Sequence, residues 1–282
     1  MPSSDRRCEI ADLSGKRHIA YREWGAPDNP NILVCAHGLT RNSRDFDALS
    51  NVLHKDYRII CMDVAGRGDS DWLNRPDDYS YPLYVSDAHI LLTHAGCRGC
   101  DWLGTSMGGV IGMMLAAEKP SPIRRLIVND IGPIIPNSAL RRIAKYLEFR
   151  PAFTSFQQFE TYLRQVHAPF GPLTNEQWHH LAIHSSRQTG TGHWDFKYDP
   201  AIAIPFARLT DDDIDLRSIW DAISCPVLML HGRESDILTG DIVAQAQAHG
   251  PGLTVHHFDG VGHAPALMEI DQIQCIQNWL AG

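Results

Sequence analysis

The sequence has no excess of positive charge. Its 282 residues carry 25 Lys and Arg against 33 Asp and Glu, a formal net charge of −8. No basic stripe is available to neutralise phosphates, so a nucleic-acid partner is not expected. Nor is there an apolar run approaching the roughly 20 residues that span a bilayer, and no membrane partner is expected either. The opening stretch MPSSDRRCEI lacks the apolar core of a secretory signal. Cysteine is present but unframed: there are seven, an odd number. Cys35 and Cys61 lie in apolar runs, where a thiol behaves as a small hydrophobe. Cys97 and Cys100 form a C-x-x-C with no second pair to complete a zinc site. Unframed thiols read as a reducing, cytoplasmic setting.

The remaining composition, 44% apolar and 21% charged, is that of an ordinary globular protein. The segment CEIADLSGKRHIAYREWG alternates apolar and polar residues and reads as a hairpin turning at Ser14-Gly15. NILVCAHG, YRIICMDVAGRG, DWLGTS, IRRLIVNDIGP, CPVLMLHG and LTVHHFDG are apolar runs closed by glycine or polar residues. Helical patterns separate them: YVSDAHILLTHAG, MGGVIGMMLAAEKP (closed by Pro120), about 240–249 and about 265–280. Apolar strands alternating with helices predict an α/β fold with a mostly parallel sheet buried on both faces.

Residues 134–222 break the rhythm. SALRRIAKYLEF, FQQFETYLRQV and NEQWHHLAIHSS read as helices, followed by WDFKYDPAIAIPF and LRSIWDAI, and no run there is as clean as the sheet strands. The expected organisation is a core in two parts, 1–133 and 223–282, with a helical insertion at 134–222. It falls where strand carboxyl ends would meet a ligand.

The chemistry concentrates at Gly104-Thr105-Ser106-Met107-Gly108, a G-x-S-x-G between a strand and a helix. In that context the glycines clear a tight bend and the bend lifts the serine hydroxyl. The helix starting there offers free N–H groups to a developing negative charge. A serine hydroxyl needs a base. His263, in FDGVGHAPAL, lies after the last strand and before the last helix, and is the candidate. The acid is expected after the preceding strand, where HGRESDIL offers Glu234 and Asp236; Asp236 is preferred because the loop must reach across to His263. Asp130, which ends the strand after the serine's helix, is the alternative, set against a reading as a cap or turn residue. The backbone N–H groups of Leu39, after His37-Gly38, and Met107 are the candidate oxyanion donors.

AHGLT, DVAGRGDSD, GTSMGG, LHGRESDIL and GVGHAP, in this order, resemble the α/β-hydrolase superfamily over nearly the whole chain. The resemblance implies an eight-stranded, mostly parallel sheet with an antiparallel first hairpin, and a helical cap at the insertion. It is similar to members with a serine nucleophile, which act on carboxylic esters, lactones or thioesters through an acyl-enzyme and need neither cofactor nor metal. Relatives that cleave carbon–halogen bonds or epoxides carry an aspartate where Ser106 stands. Hydrolases of carbon–carbon bonds often carry Asn and Trp where this chain has Thr105 and Ala264. The expected activity is therefore a serine hydrolase of a small ester, with C–C hydrolysis or acyl transfer by the same residues as the alternative. A non-catalytic small-molecule receptor on the same scaffold is a third reading, disfavoured by the full Ser, acid and His set.

Arg41 and Arg44 are candidates to clamp a substrate carboxylate. The competing reading pairs them with Asp45 or Asp47. Phe149, Phe153, Phe156, Phe159, Trp178 and Trp194 read mostly as core, with Trp194 a candidate substrate wall. His180 and His184 are spaced i, i+4, but no H-E-x-x-H or third ligand accompanies them in the sequence, so they read as a helix face. Arg67-Gly68-Asp69 reads as a turn after a strand.

Overall fold

The computed structural model of the chain describes residues 3–12 and 15–282. Strands β1 (Ser4–Asp12) and β2 (Gly15–Trp24) pair antiparallel, with Asp12 opposite Gly15. The expected hairpin is thus present; Ser14 lies outside the described residues. The other sheet strands are β3 (Ile32–Ala36), β4 (Arg58–Met62), β5 (Cys100–Thr105) and β6 (Ile123–Asn129), with β11 (Val227–Gly232) and β12 (Leu253–Phe258) late in the chain. The eight-stranded sheet runs β1-β2-β4-β3-β5-β6-β11-β12. From β4 to β12 all pairings are parallel.

Alternation along the strands builds two cores. Leu33, Cys35, Ile59, Cys61, Leu103, Ile127, Leu228 and Leu230 point to one face. There they meet Leu49 and Leu53 of α1 (Asp47–Leu53) and Ile273, Ile276 and Leu280 of α9 (Ile270–Ala281). Val34, Ile60, Trp102, Leu126, Val128 and Met229 point to the other face. It is covered by α2 (Tyr81–His94), α3 (Met107–Ala117) and α8 (Gly240–Ala248). Helix α9 starts later than the apolar spacing from residue 265 predicts. Leu267 sits at φ 59° and gives its N–H to the Gln272 side chain, which ends the preceding loop rather than continuing a helix.

The chain leaves β3 for β4 on one side and then returns to place β5 on the other. The loops after β3 and β5 therefore diverge and open a crevice at their carboxyl ends.

Between β6 and β11 lies the inserted segment. Its ends are zipped together, β7 (Ile134–Ile135) pairing antiparallel with β10 (Ile214–Asp215). It carries α4 (Asn137–Glu148), α5 (Phe156–Val166) and α6 (Asn175–Ser185). The stretch WDFKYDPAIAIPF departs from the helical reading. Trp194–Phe196 is strand β9, paired with β8 (Ser186–Gln188), and Pro200–Arg208 is a 3-10 turn. Pro205 removes an N–H that an α-helix would use there. Phe153, Phe159, Tyr162 and Phe196 stack edge-on to form the segment's own core. Helix α7 (Arg217–Ala222), read with the insertion, rejoins the main body, where Trp220 donates its indole N–H to the carbonyls of Ala246 and His249.

Among the described residues no helix is long and apolar enough to cross a membrane. The seven cysteines are free, and burial pushes the Cys97 and Cys100 thiols up, away from thiolate chemistry.

Candidate active site

Ser106 sits between β5 and α3 at φ 50°, a left-handed conformation that a non-glycine residue rarely adopts. Its surroundings explain both motif glycines. A Cβ on Gly104 would lie 2.1 Å from the Gly108 carbonyl oxygen, and one on Gly108 would lie 2.0 Å from the Ala36 carbonyl oxygen of β3. The bend is held from β6, since the Ser106 N–H donates to the Asn129 carbonyl at 2.9 Å.

The Ser106 hydroxyl lies 2.9 Å from His263 Nε2, and His263 Nδ1 lies 2.8 Å from Asp130 Oδ2. Asp130 is fully buried and His263 is 14% exposed. The carboxylate is held on all sides. Oδ1 accepts from the Gly232 N–H at 2.9 Å, and Oδ2 also accepts from the Ser235 hydroxyl at 2.5 Å. A hydroxyl, an imidazole and a buried carboxylate in this line can take a proton from the hydroxyl and stabilise the resulting imidazolium.

The preference for Asp236 is corrected by these contacts. Asp236 is exposed, and its two oxygens accept from Arg142 Nε at 2.5 Å and Nη2 at 2.8 Å. Glu234 is exposed as well. The loop after β11 turns Ser235 inward and Asp236 outward, so it contributes a hydroxyl to Asp130 rather than a carboxylate to His263. Asp130 instead reaches His263 from the end of β6, the strand next to β11. Its φ of 56° is one that aspartate tolerates better than most residues.

Gly38 lies against the serine, a Cβ there falling 3.8 Å from the Ser106 Cβ. Its orientation is set by His37, fully buried beneath it. His37 Nε2 accepts the Val64 N–H at 3.0 Å, which leaves the proton on Nδ1 to donate to the Gly38 carbonyl at 2.7 Å. Burial pushes His37 down to about 4, so the ring is neutral. With the Gly38 carbonyl tied back, the N–H of Leu39 in that same trans peptide points the opposite way. Met107 opens α3, so its N–H has no acceptor within the helix. Arg67, also fully buried, donates to the Leu39 carbonyl at 2.9 Å and contacts the Met107 sulfur at 3.6 Å, bracing both residues from behind.

A cavity of about 60 Å³ meets the serine, lined by Gly38, Leu39, Arg41, Ser106, His167 and His263 among others. On the far side of Leu39 and Met107 lies a chamber of about 390 Å³ with walls that include Tyr81, Ile135, Leu140, Ile202 and Phe206.

Of the candidate substrate contacts, Arg41 lines the small cavity, but its fork is engaged. Nε and Nη2 hold Asp45 at 2.9 and 2.6 Å, and Nη1 donates to Ser185 at 2.7 Å. Arg44 and Trp194 are not brought to the serine. Arg44 turns away to Asp47 at 2.6 Å, and Trp194 packs on Phe156 inside the inserted segment.

Two residues at the site carried no signal in the sequence. Asn129 donates to Thr105 Oγ1 at 3.0 Å and to the Pro265 carbonyl at 2.8 Å, tying the strand before Ser106 to the loop after His263. His167 lines the cavity, and burial, with Arg41 and His263 nearby, holds it well below its ordinary pKa. Their positions follow from long-range contacts, which no local pattern announces.

A family model described as "Alpha/beta hydrolase family" matches residues 33–273. A 3-hydroxybutyrate-oligomer hydrolase of Cupriavidus necator is 42% identical over 277 residues, covering 95% of this chain and 94% of that protein. A crystal structure from Rickettsia typhi is similar, with a TM-score of 0.93 at 34% identity, covering 100% of this chain and 99% of the other. The structure of an alpha/beta hydrolase from Novosphingobium aromaticivorans has a TM-score of 0.87 at 32% identity, over 99% of this chain and 98% of that one.

Proposed function

Since this chain belongs to the alpha/beta hydrolase family, we propose that it is a serine hydrolase of short-chain carboxylic esters, with oligomers of a small hydroxy acid as its substrate class. The observation that carries the reading is the continuous line from Ser106 through His263 to Asp130, at 2.9 and 2.8 Å. The substrate class is supported by the 42% identical relative that hydrolyses 3-hydroxybutyrate oligomers and by the small volume at the serine.

In this reading His263 takes the proton of Ser106 as the hydroxyl attacks the ester carbonyl. The amides of Leu39 and Met107 hold the oxyanion. Asp130 keeps Nδ1 protonated and offsets the charge that forms on the imidazole. His263 then protonates the departing alcohol, and water clears the acyl-enzyme with the roles reversed. Segment 134–222 acts as a cap over this centre, with α4 and the turn around His167 supplying its roof. The large chamber beside Leu39 and Met107 gives the non-reacting, apolar part of the substrate a place outside the small cavity.

The test has two parts. Incubation with a fluorophosphonate should label Ser106, as read by mass spectrometry of the modified peptide. Release of monomer from 3-hydroxybutyrate dimer and trimer should fall on the order of 10⁶-fold in Ser106→Ala. Near-normal turnover by that variant would remove Ser106 from the chemistry. Labelling without release of monomer would retain the serine hydrolase and reject the substrate class.

A further inference from the structure

His180 and His184 are one turn apart on α6, a spacing that by itself describes a plain helix face. The fold supplies the third group. Asp47, the first residue of α1, stands opposite them, and one ring nitrogen of each histidine and one Asp47 oxygen lie within 4.8 Å of one another. We propose that Asp47, His180 and His184 form a binding site for a divalent transition metal such as Zn²⁺, which staples the inserted segment to the main body.

Three observations support the assignment. First, the donor set is right for the metal: two imidazoles and a carboxylate are zinc ligands, and a solvent molecule completes four-coordination. Second, Asp47 Oδ1 is buried and has no hydrogen-bond partner, so this carboxylate is short of the partners a buried charge needs, and a cation held by it would offset that charge. Third, the groups already face a positive charge. The Arg44 guanidinium lies between them, with Nη2 2.5 Å from Asp47 Oδ2 and Nη1 3.3 Å from His184 Nδ1. Arginine only donates, so His184 presents a lone pair there, as a metal ligand would. His180 lies beside this pair, its ring centroid 4.6 Å from that of His184 and its Nε2 3.7 Å from Asp47 Oδ2. That nitrogen now donates to the Arg44 carbonyl at 3.0 Å, so metal binding requires its proton to pass to Nδ1, with the ring turned off that carbonyl, and release of the Arg44 side chain.

Arg44 is thus the occupant that a metal must displace, which gives the site a sign test. The location also matters. Just beyond His184, Ser185 accepts from Arg41, which lines the cavity at Ser106. A metal joining α1 to α6 would hold this part of the wall in one position.

The experiment is a titration of the full-length, metal-free protein with Zn²⁺ by calorimetry, and with Co²⁺ by visible absorption. Expected is one equivalent bound to the wild type, with the intense visible bands of four-coordinate Co²⁺ and a rise in Tm on adding Zn²⁺. In His180→Ala and His184→Ala the affinity should fall by more than the ~10–100-fold that loss of an outer-shell partner brings. In Arg44→Ala, where no guanidinium competes, Zn²⁺ should bind about tenfold more tightly. Absence of saturable binding to the wild type overturns the proposal, as does binding that survives in both histidine variants. Unchanged or weaker binding in Arg44→Ala overturns it too, and that variant needs neither histidine removed.

Discussion

The loops after β6 and β11 start side by side on neighbouring parallel strands, and each carries an aspartate. Asp130 is fully buried, accepts from a backbone N–H, a serine hydroxyl and His263, and stands in the candidate active site. Asp236 is exposed and holds Arg142 in a fork. The two carboxylates have the same chemistry, Asp130 directly after β6 and Asp236 four residues beyond the end of β11. What differs is desolvation. A buried carboxylate has to be surrounded by donors, and those donors make it rigid and oriented. An exposed pair with arginine is worth little to stability.

Substitutions can break this comparison, beginning with the largest effect. Asp130→Asn should lower kcat by about 10⁴, because the amide no longer selects the tautomer that leaves His263 Nε2 free to take the serine proton. Steady-state kinetics on a short ester would show it, and equal activity with wild type would return the role of acid to another residue. Next comes the loop after β3, where His37 is buried and doubly bonded. Its folded-state pKa of about 4 lies below the unfolded value of 6.5. Between these the unfolded chain binds the extra proton, so the stability present above pH 6.5 is lost as pH falls towards 4. The loss should amount to ~3 kcal/mol at the acid end. Denaturant melts of His37→Gln against wild type at several pH values should show a shallower loss in the variant. Ser235→Ala removes one of the three donors around Asp130 and should cost about tenfold in kcat with little change in KM. Asp236→Asn is the smallest, within about twofold of wild-type kcat, since only an exposed ion pair is weakened. A drop in Asp236→Asn comparable to that in Asp130→Asn would erase the distinction between the two loops.

Much of this was legible before the fold. The sheet, the hairpin, the elbow at Ser106 and the loop at Gly38 follow from local patterns: apolar runs, helical spacing and glycines at a bend. The clashes that require Gly104 and Gly108 involve atoms a few residues away or on the adjacent strand. His263 was also legible, because its place between the last strand and the last helix is a matter of chain order. The expected place of the acid in the chain also points to Asp236 rather than Asp130, and the fold places Asp130 on His263 instead. Both acids follow the serine and precede the histidine, so order cannot separate them. For Arg44 and Trp194 the pairing and core readings that the sequence also carries are the ones the fold adopts, Arg44 on Asp47 and Trp194 on Phe156, because residue type says what a side chain is able to bind but not where it points.

The sequence by itself determined the eight strands of the main sheet and most of the helices, which hydroxyl is lifted on a strained turn and which histidine follows the last strand. Those features depend on backbone conformation and burial pattern within short windows. Only the tertiary structure decided which carboxylate meets His263, what braces the Leu39 and Met107 peptides, and that Asp47 stands opposite His180 and His184. These depend on strand order and on the one-residue phase that turns Ser235 inward and Asp236 outward. Which of two neighbouring loop residues turns inward is settled by contacts with a distant strand, as Ser235 with Asp130, and no local pattern announces it.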